Sequence, residues 1–166
     1  MIVLIMGVAG AGKTSVGTAL AKELGWTFID ADDYHSAANV AKMEAGVALN
    51  DADRQPWLES LAGVIRQTLE RGDSAVLACS ALKQAYRDVL LINRKVQVVY
   101  LKIDYETAAE RLRARGRHYM NPNLLKNQFE TLEEPADAWQ IDVRLPMDII
   151  VARIRSAIAV WVSKRS

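Results

Sequence analysis

The sequence predicts a three-layer α/β fold, a parallel sheet flanked by helices, and three observations carry that reading. Residues 2–6, Ile-Val-Leu-Ile-Met, are apolar without a break and β-rich, the pattern of a strand buried on both faces at the centre of a parallel sheet. The run leads straight into Gly7-Val8-Ala9-Gly10-Ala11-Gly12-Lys13-Thr14, which matches GxxxxGK[ST] in every fixed position and opens a helix. Beyond it, strand-like and helix-like stretches alternate to the end of the chain. That alternation calls for crossover helices between parallel strands, right-handed by default.

The glycine-rich stretch also predicts chemistry. Gly7, Gly10 and Gly12 let the backbone turn its N–H groups inward around phosphate oxygens. The backbone N–H groups of Ala9, Gly10, Ala11, Gly12, Lys13 and Thr14, with Ser15 just beyond, form the candidate phosphate site. Lys13 supplies a point charge for the β- and γ-phosphates, and Thr14 a hydroxyl for Mg²⁺. The helix that follows starts with free N–H groups and its positive dipole end aimed at the same place. The alternative is a strand-to-helix turn with no ligand. A buried-type strand before the motif and a helix after it argue against that alternative.

Composition narrows the class. A chain of 166 residues suits one domain with a full-sized core, and 51% apolar content is that of an ordinary globular protein. With 21 basic and 20 acidic residues the net charge is +1, which argues against a general binder of nucleic acid or membrane surfaces. Cys79 is the single cysteine, so no intrachain disulfide forms and nothing suggests secretion. The apolar N-terminus lacks a basic region and does not read as a signal peptide, and no apolar run is long enough to span a bilayer. A soluble cytoplasmic protein is expected.

The elements follow in order. Ser15 to Leu24 repeats apolar residues at helical spacing, and Gly25 reads as the stop. Trp26-Thr27-Phe28-Ile29 is a second strand, ending in Asp30-Ala31-Asp32-Asp33-Tyr34-His35. Ligands of open parallel sheets bind at the carboxyl ends of strands, so these acids point towards the phosphate loop; a solvated turn or helix cap is the other reading. Residues 36–50 read as a helix and a turn. The next helix opens at Asp51-Ala52-Asp53-Arg54-Gln55-Pro56, with Asp51 or Asp53 as N-cap, and runs to about Arg71 before Gly72. Arg54 lies near its start, against the helix dipole. Either a bound anion or a local pair with Asp51 or Asp53 accounts for it.

Residues 74–79 form a third strand, with Ser80-Ala81-Leu82-Lys83 at its carboxyl end and a helix over 84–92. Residues 96–101 form a fourth strand, and Asp104 caps a helix to about Arg115. Arg111 to Met120 gathers four arginines and His118, read either as a solvated face or as a lid whose arginines meet phosphoryl charge. Helix resumes over 124–132. Met147 to Val151 reads as a short fifth strand, and 152–163 as the closing helix. Cys79 reads as a buried apolar residue, and Trp57, Trp139 and Trp161 as packing residues.

Taken together these segments resemble the gluconate kinase family of phosphate-loop small-molecule kinases. The resemblance rests on Gly7 to Thr14; on Asp32 to His35 with Asn39 and Lys42-Met43; on Leu49 to Leu58; on Cys79-Ser80-Ala81-Leu82-Lys83 with Tyr86-Arg87-Asp88; on Arg111 to Met120; and on Gln128 with Thr131 to Pro135. It implies a five-stranded parallel sheet in the order 2-3-1-4-5, with the whole chain, 1–166, as one kinase domain. It implies a mobile lid over about 111–135 and an acceptor-binding helical segment over about 34–71. It further implies ATP and Mg²⁺ as cofactors, D-gluconate as acceptor, 6-phosphogluconate as product, and a homodimer. Two departures stand out. Ala31 takes the place of a usual glycine, and Arg115-Gly116-Arg117-His118 replaces a usual Arg-x-Gly-His.

Under this resemblance Lys13, Asp32 and Arg115 are the catalytic candidates, and Arg111 and Arg115 close on the nucleotide. Arg54, with its planar fork, suits the gluconate carboxylate. Asp32, His35, Lys83, Arg87 and Gln128 complete the acceptor set. Asp32 has two readings, a base or orienting group for the attacking hydroxyl, or a partner of Mg²⁺ through water alongside Thr14. The adenine pocket falls near Pro146. Competing readings are a related kinase with a shikimate-like or nucleoside monophosphate acceptor, and an ATP-binding regulatory module without catalysis.

Overall fold

The computed structural model describes residues 1–115 and 122–164. Five strands form one all-parallel sheet in the order β2-β3-β1-β4-β5, with β1 Ile2–Met6, β2 Thr27–Asp30, β3 Ala75–Ala78, β4 Val96–Lys102 and β5 Trp139–Asp142. The helices are α1 Lys13–Leu24, α2 Ala37–Glu44, α3 Asp51–Glu70, α4 Gln84–Leu90, α5 Tyr105–Ala114, α6 Pro122–Thr131 and α7 Met147–Ser163. The predicted sheet and strand order are those observed.

The alternation of side chains along β1 explains the three layers. All five residues of β1 are fully buried. Val3 and Ile5 face one core, closed by Val16 and Leu20 of α1, Leu112 of α5 and Ile150 and Ile154 of α7. Ile2, Leu4 and Met6 face the other, closed by Leu58, Leu61 and Ile65 of α3 and Leu90 of α4. Each fully buried side chain of this size is worth about 1.5–3 kcal/mol, so β1 anchors both halves of the fold. Gly17 lets α1 lie directly on β2, because a Cβ there would meet the Phe28 ring at 2.5 Å.

Two sequence expectations are corrected. The fifth strand is Trp139–Asp142, and Met147–Val151 is instead the first part of α7. Ile150, Val151, Ile154 and Ile158 are the buried positions of that helix, a helical spacing that continues well past residue 151. The true strand is short and at the sheet edge, so its residues are mostly half-exposed. The N-cap of α3 is Asn50 rather than Asp51 or Asp53; Asn50 Oδ1 accepts from Asp53 N–H, and the Asp53 carboxylate accepts from Asn50 N–H, a reciprocal capping box. Pro56 accordingly lies within α3 and past its first turn.

Candidate active site

The phosphate loop lies at the carboxyl end of β1, where Gly7, Gly10 and Gly12 take positive φ values of 150°, 83° and 93°. Gly10 also sits against the start of α5, since a Cβ there would meet Ala108 O at 2.8 Å. Gly12 caps α1 without any side-chain acceptor, so the first-turn N–H groups of α1 stay directed at the loop.

The loop separates two cavities. One, of about 580 Å³, is lined by Ala9, Lys13, Asp32, His35, Arg54, Trp57, Ser80 and Gln128, with α2 as a further wall. The other, of about 400 Å³, is lined by Gly10, Ala11, Gly12 and Ser15 of the loop, Arg111 and Arg115 of the α5 end, and Leu145, Met147 and Ile150. Arg111 Nη2 donates to Val143 O at 2.7 Å, which ties α5 to the segment leading into α7. Of the lid predicted from sequence over about 111–135, residues 116–121, with Arg117 and His118, lie outside the described residues.

Lys13, Asp32, His35, Arg54 and Gln128 therefore share the larger cleft. Lys13 Nζ donates to Val8 O at 3.1 Å. Burial pulls its pKa down, and the Asp32 charge pulls it back up. Burial pushes the Asp32 carboxyl up against the pull of Lys13, and Asp30 adds to the upward push. With 82% of the Asp32 side chain open to the cleft, water screens much of that effect. Burial also lowers the His35 pKa, opposed by Asp32 and reinforced by Arg54. Gln128 Oε1 accepts from Ala9 N–H at 2.7 Å, joining α6 to the loop on its cleft side.

Arg54 pairs with neither Asp51 nor Asp53. Its guanidinium donates to Leu49 O and to Tyr86 Oη, and lies 5.4 Å over the Tyr86 ring. Asp53 instead takes Lys42 at 2.7 Å, and Asn39 Nδ2 donates to Asp53 O at 2.9 Å, so α2 is clasped to the start of α3. Asn39 and Lys42 thus hold α2 in place, and Val40 and Met43 of that helix line the cleft.

Lys83 and Arg87, expected in the acceptor set, are not among the residues that line the cleft. Lys83 Nζ donates to Asp51 Oδ1 at 2.8 Å, and Tyr86 Oη donates to the same carboxylate, which locks the loop after β3 to the start of α3. Arg87 is 2% exposed, and its guanidinium donates to Ala81 O at 2.9 Å, Leu82 O at 3.0 Å and Gln84 Oε1 at 2.9 Å. Ala81 holds the left-handed φ of 45° that turns this loop into the cleft. The physical reason is reach: buried carbonyls need donors, and Arg87 is the cation beside them.

Sequence reasoning placed Asp30 among the acids that point towards the phosphate loop but not among the site residues. Thr14 Oγ1 donates to Asp30 Oδ2 at 3.0 Å, and Asp30 Oδ1 accepts from Asp32 N–H at 3.1 Å. One hydroxyl and one carboxylate beside phosphate-binding amides is a donor set that Mg²⁺ uses, keeping its remaining positions for water and phosphate oxygens. The signal was the i, i+2 spacing of Asp30 and Asp32, which gives the two acids different neighbours at a strand end. Trp57, read as packing, is both: 4% exposed and part of the cleft wall. Ala31 is fully buried, its methyl in the core beside Trp57.

The chain is similar to known proteins along most of its length. The family model "Shikimate kinase" matches residues 9–140. The chain is similar to "Probable gluconokinase" of Rattus norvegicus, 46% identical over 154 residues, covering 81% of this chain and 83% of the relative. Among solved structures it resembles a sugar kinase from Janibacter sp. HTCC2649, with a TM-score of 0.87, 38% identity, and coverage of 93% of this chain and 92% of that one. It also resembles a gluconokinase from Sinorhizobium meliloti 1021, with a TM-score of 0.80, 36% identity, and coverage of 96% and 95%.

Proposed function

Since the chain belongs to the gluconokinase family and matches the shikimate kinase family model, we propose that it transfers the γ-phosphoryl group of ATP to a hydroxyl of D-gluconate, giving 6-phospho-D-gluconate. The observation that carries this reading is the position of the phosphate loop between two cavities. Gly10, Gly12 and Ser15 face one, while Lys13 and Ala9 face the other, where Arg54 and Asp32 wait.

Phosphoryl transfer asks a protein for positioning and charge stabilisation more than for covalent chemistry. On this reading the loop N–H groups from Gly10 to Thr14 hold the phosphates while Ala9 N–H stays with Gln128 Oε1, Lys13 meets the charge of the group in transfer, and Arg111 and Arg115 approach from the nucleotide side. Leu145 and Met147 supply apolar surface for the base. Removing one well-placed donor costs about 3 kcal/mol, roughly a hundredfold in rate. Thr14 and Asp30 are the residues that would hold Mg²⁺, Asp30 through water, and the ion would offset the phosphate charge. That assignment leaves Asp32 to orient the acceptor hydroxyl and receive its proton.

The acceptor is an open-chain carboxylate rich in hydroxyls, so its site needs a fixed cation and several polar groups. Arg54 provides the cation, preset by its contacts with Leu49 O and Tyr86. Asp32, His35, Ser80 and Gln128 provide the rest. The reaction needs only ATP, Mg²⁺ and a free sugar acid, and we assign it to the cytoplasm. No helix among the described residues is long and apolar enough to cross a membrane.

A coupled ADP-release assay tests the proposal, with Mg-ATP against D-gluconate, shikimate, AMP and related sugar acids, and Lys13→Ala as the blank. Release that depends on gluconate and vanishes in the variant is the expected result. Release with another acceptor alone would reassign the substrate, and ATP binding with no acceptor response would leave a nucleotide-binding module.

A further inference from the structure

His35 Nδ1 is buried and has no hydrogen-bond partner among the described residues, although the ring lines the acceptor cleft and only 5% of the side chain is exposed. The ring is held in place. It lies flat on Trp57, with centroids 4.3 Å apart and planes 13° from parallel. Trp57 is itself fixed, since its Nε1–H donates to Ala31 O at 2.7 Å. The other nitrogen, Nε2, stands 4.0 Å from Asp32 Oδ1.

A buried N–H with no acceptor costs more than a bare lone pair in the same place. The proton therefore belongs on Nε2. We infer that His35 is a positioning residue held in the Nε2–H tautomer, whose single N–H fixes the oxygen that Asp32 shares with the acceptor. At 4.0 Å the two groups are too far apart for a direct hydrogen bond, and one oxygen between them meets both. A hydroxyl fits that place, because it accepts from Nε2–H and donates to Asp32 at once. His35 then sets the direction of the hydroxyl proton towards Asp32. It does not take that proton, because the nitrogen facing the cleft already carries one. The inference rests on reading this cleft as the acceptor site.

Two measurements test it. Long-range ¹H–¹⁵N spectra report which ring nitrogen is protonated. The chain has two histidines, and the set of signals lost in His35→Phe identifies this one. The expected pattern at neutral pH is a protonated Nε2 and a bare Nδ1. In kinetics with the preferred acceptor, His35→Gln, whose amide reaches the Nε2 position, keeps kcat within the same order. His35→Asn, which mimics the Nδ1 side, lowers kcat by about a hundredfold. His35→Phe keeps the stack on Trp57 and the melting temperature, lowers kcat by a similar factor, and leaves the KM for ATP unchanged. A proton on Nδ1, a doubly protonated ring, retention in Asn with loss in Gln, or full kcat in Phe would each overturn the inference. The spectrum needs no turnover, so its failure is separable from absent gluconate-dependent ADP release, which would overturn the proposed function instead.

Discussion

Thr14 Oγ1 donates to Asp30 Oδ2 across 3.0 Å, which links the start of α1 to the end of β2. Asp32, two residues on, lines the larger cleft, and its charge raises the Lys13 pKa more than that of Asp30 does. The proposed function accordingly gives the two carboxylates separate roles, Asp30 on the metal side and Asp32 on the acceptor side. Asp30→Asn should raise the Mg²⁺ concentration for half-maximal activity by about 10–100-fold while kcat at saturating Mg²⁺ changes little. Asp32→Asn should lower kcat by at least about a hundredfold at any Mg²⁺ concentration. Mg²⁺ titrations of initial rate on both variants check this, and exchanged phenotypes would reverse the assignment.

Arg54 gives the second prediction. Its guanidinium is preset against Leu49 O and Tyr86 and faces the cleft, so its loss should appear in acceptor binding. Arg54→Met should raise the KM for gluconate by about a hundredfold, near 3 kcal/mol, with the KM for ATP unchanged. Arg54→Lys should recover only part of this, because an ammonium cannot pair both carboxylate oxygens in one plane. An equal rise in both KM values would show that Arg54 supports the fold of the cleft rather than the acceptor.

The phosphate loop and the sheet were legible because their signals are local: Gly7 to Thr14 is contiguous, and Ile2 to Met6 is apolar on both faces. The last strand was not. Met147 to Val151 and Trp139 to Asp142 are both short, and periodicity alone does not separate a buried helix start from a strand of that length. Cations were the other gap. Arg54, Lys83 and Arg87 all sit near strand ends or helix starts, yet only Arg54 faces the cleft. Whether a guanidinium meets a ligand or a buried carbonyl depends on where the chain places unpaired carbonyls. Here that is Ala81 and Leu82, in a turn whose positive φ at an alanine no local pattern announced.

Arg87 should therefore behave as a stability residue. Arg87→Met removes the donors of Ala81 O and Leu82 O, both within a buried turn. The cost should be about 2–4 kcal/mol, a fall in melting temperature on the order of 10 °C for a chain of this size. Arg87→Lys should restore little, since one ammonium cannot span the same set of acceptors. Urea unfolding of the two variants decides it. Wild-type stability in Arg87→Met together with a raised KM for gluconate would return Arg87 to the acceptor site.

Cys79 provides a reporter of opening. It directly follows β3 with 1% exposure, and burial pushes its thiol up to about 12 from 9.0, against smaller pulls from Ala81 N–H and Lys13. At pH 8 the folded thiol is therefore held in its protonated form. A maleimide should accordingly label the native protein far more slowly than the urea-unfolded chain, with one thiol at most to modify. The same shift has a stability consequence. The unfolded thiol loses its proton first, so this contribution is complete below pH 9 and is lost as pH rises from 9 towards 12. Tyr100, pushed up to about 12 by burial and by Glu134, loses stability in the upper part of the same window. Cys79→Ala should thus flatten, without abolishing, the alkaline fall in unfolding free energy. Native labelling at pH 8 as fast as that of the unfolded chain would show that the segment just after β3 opens freely.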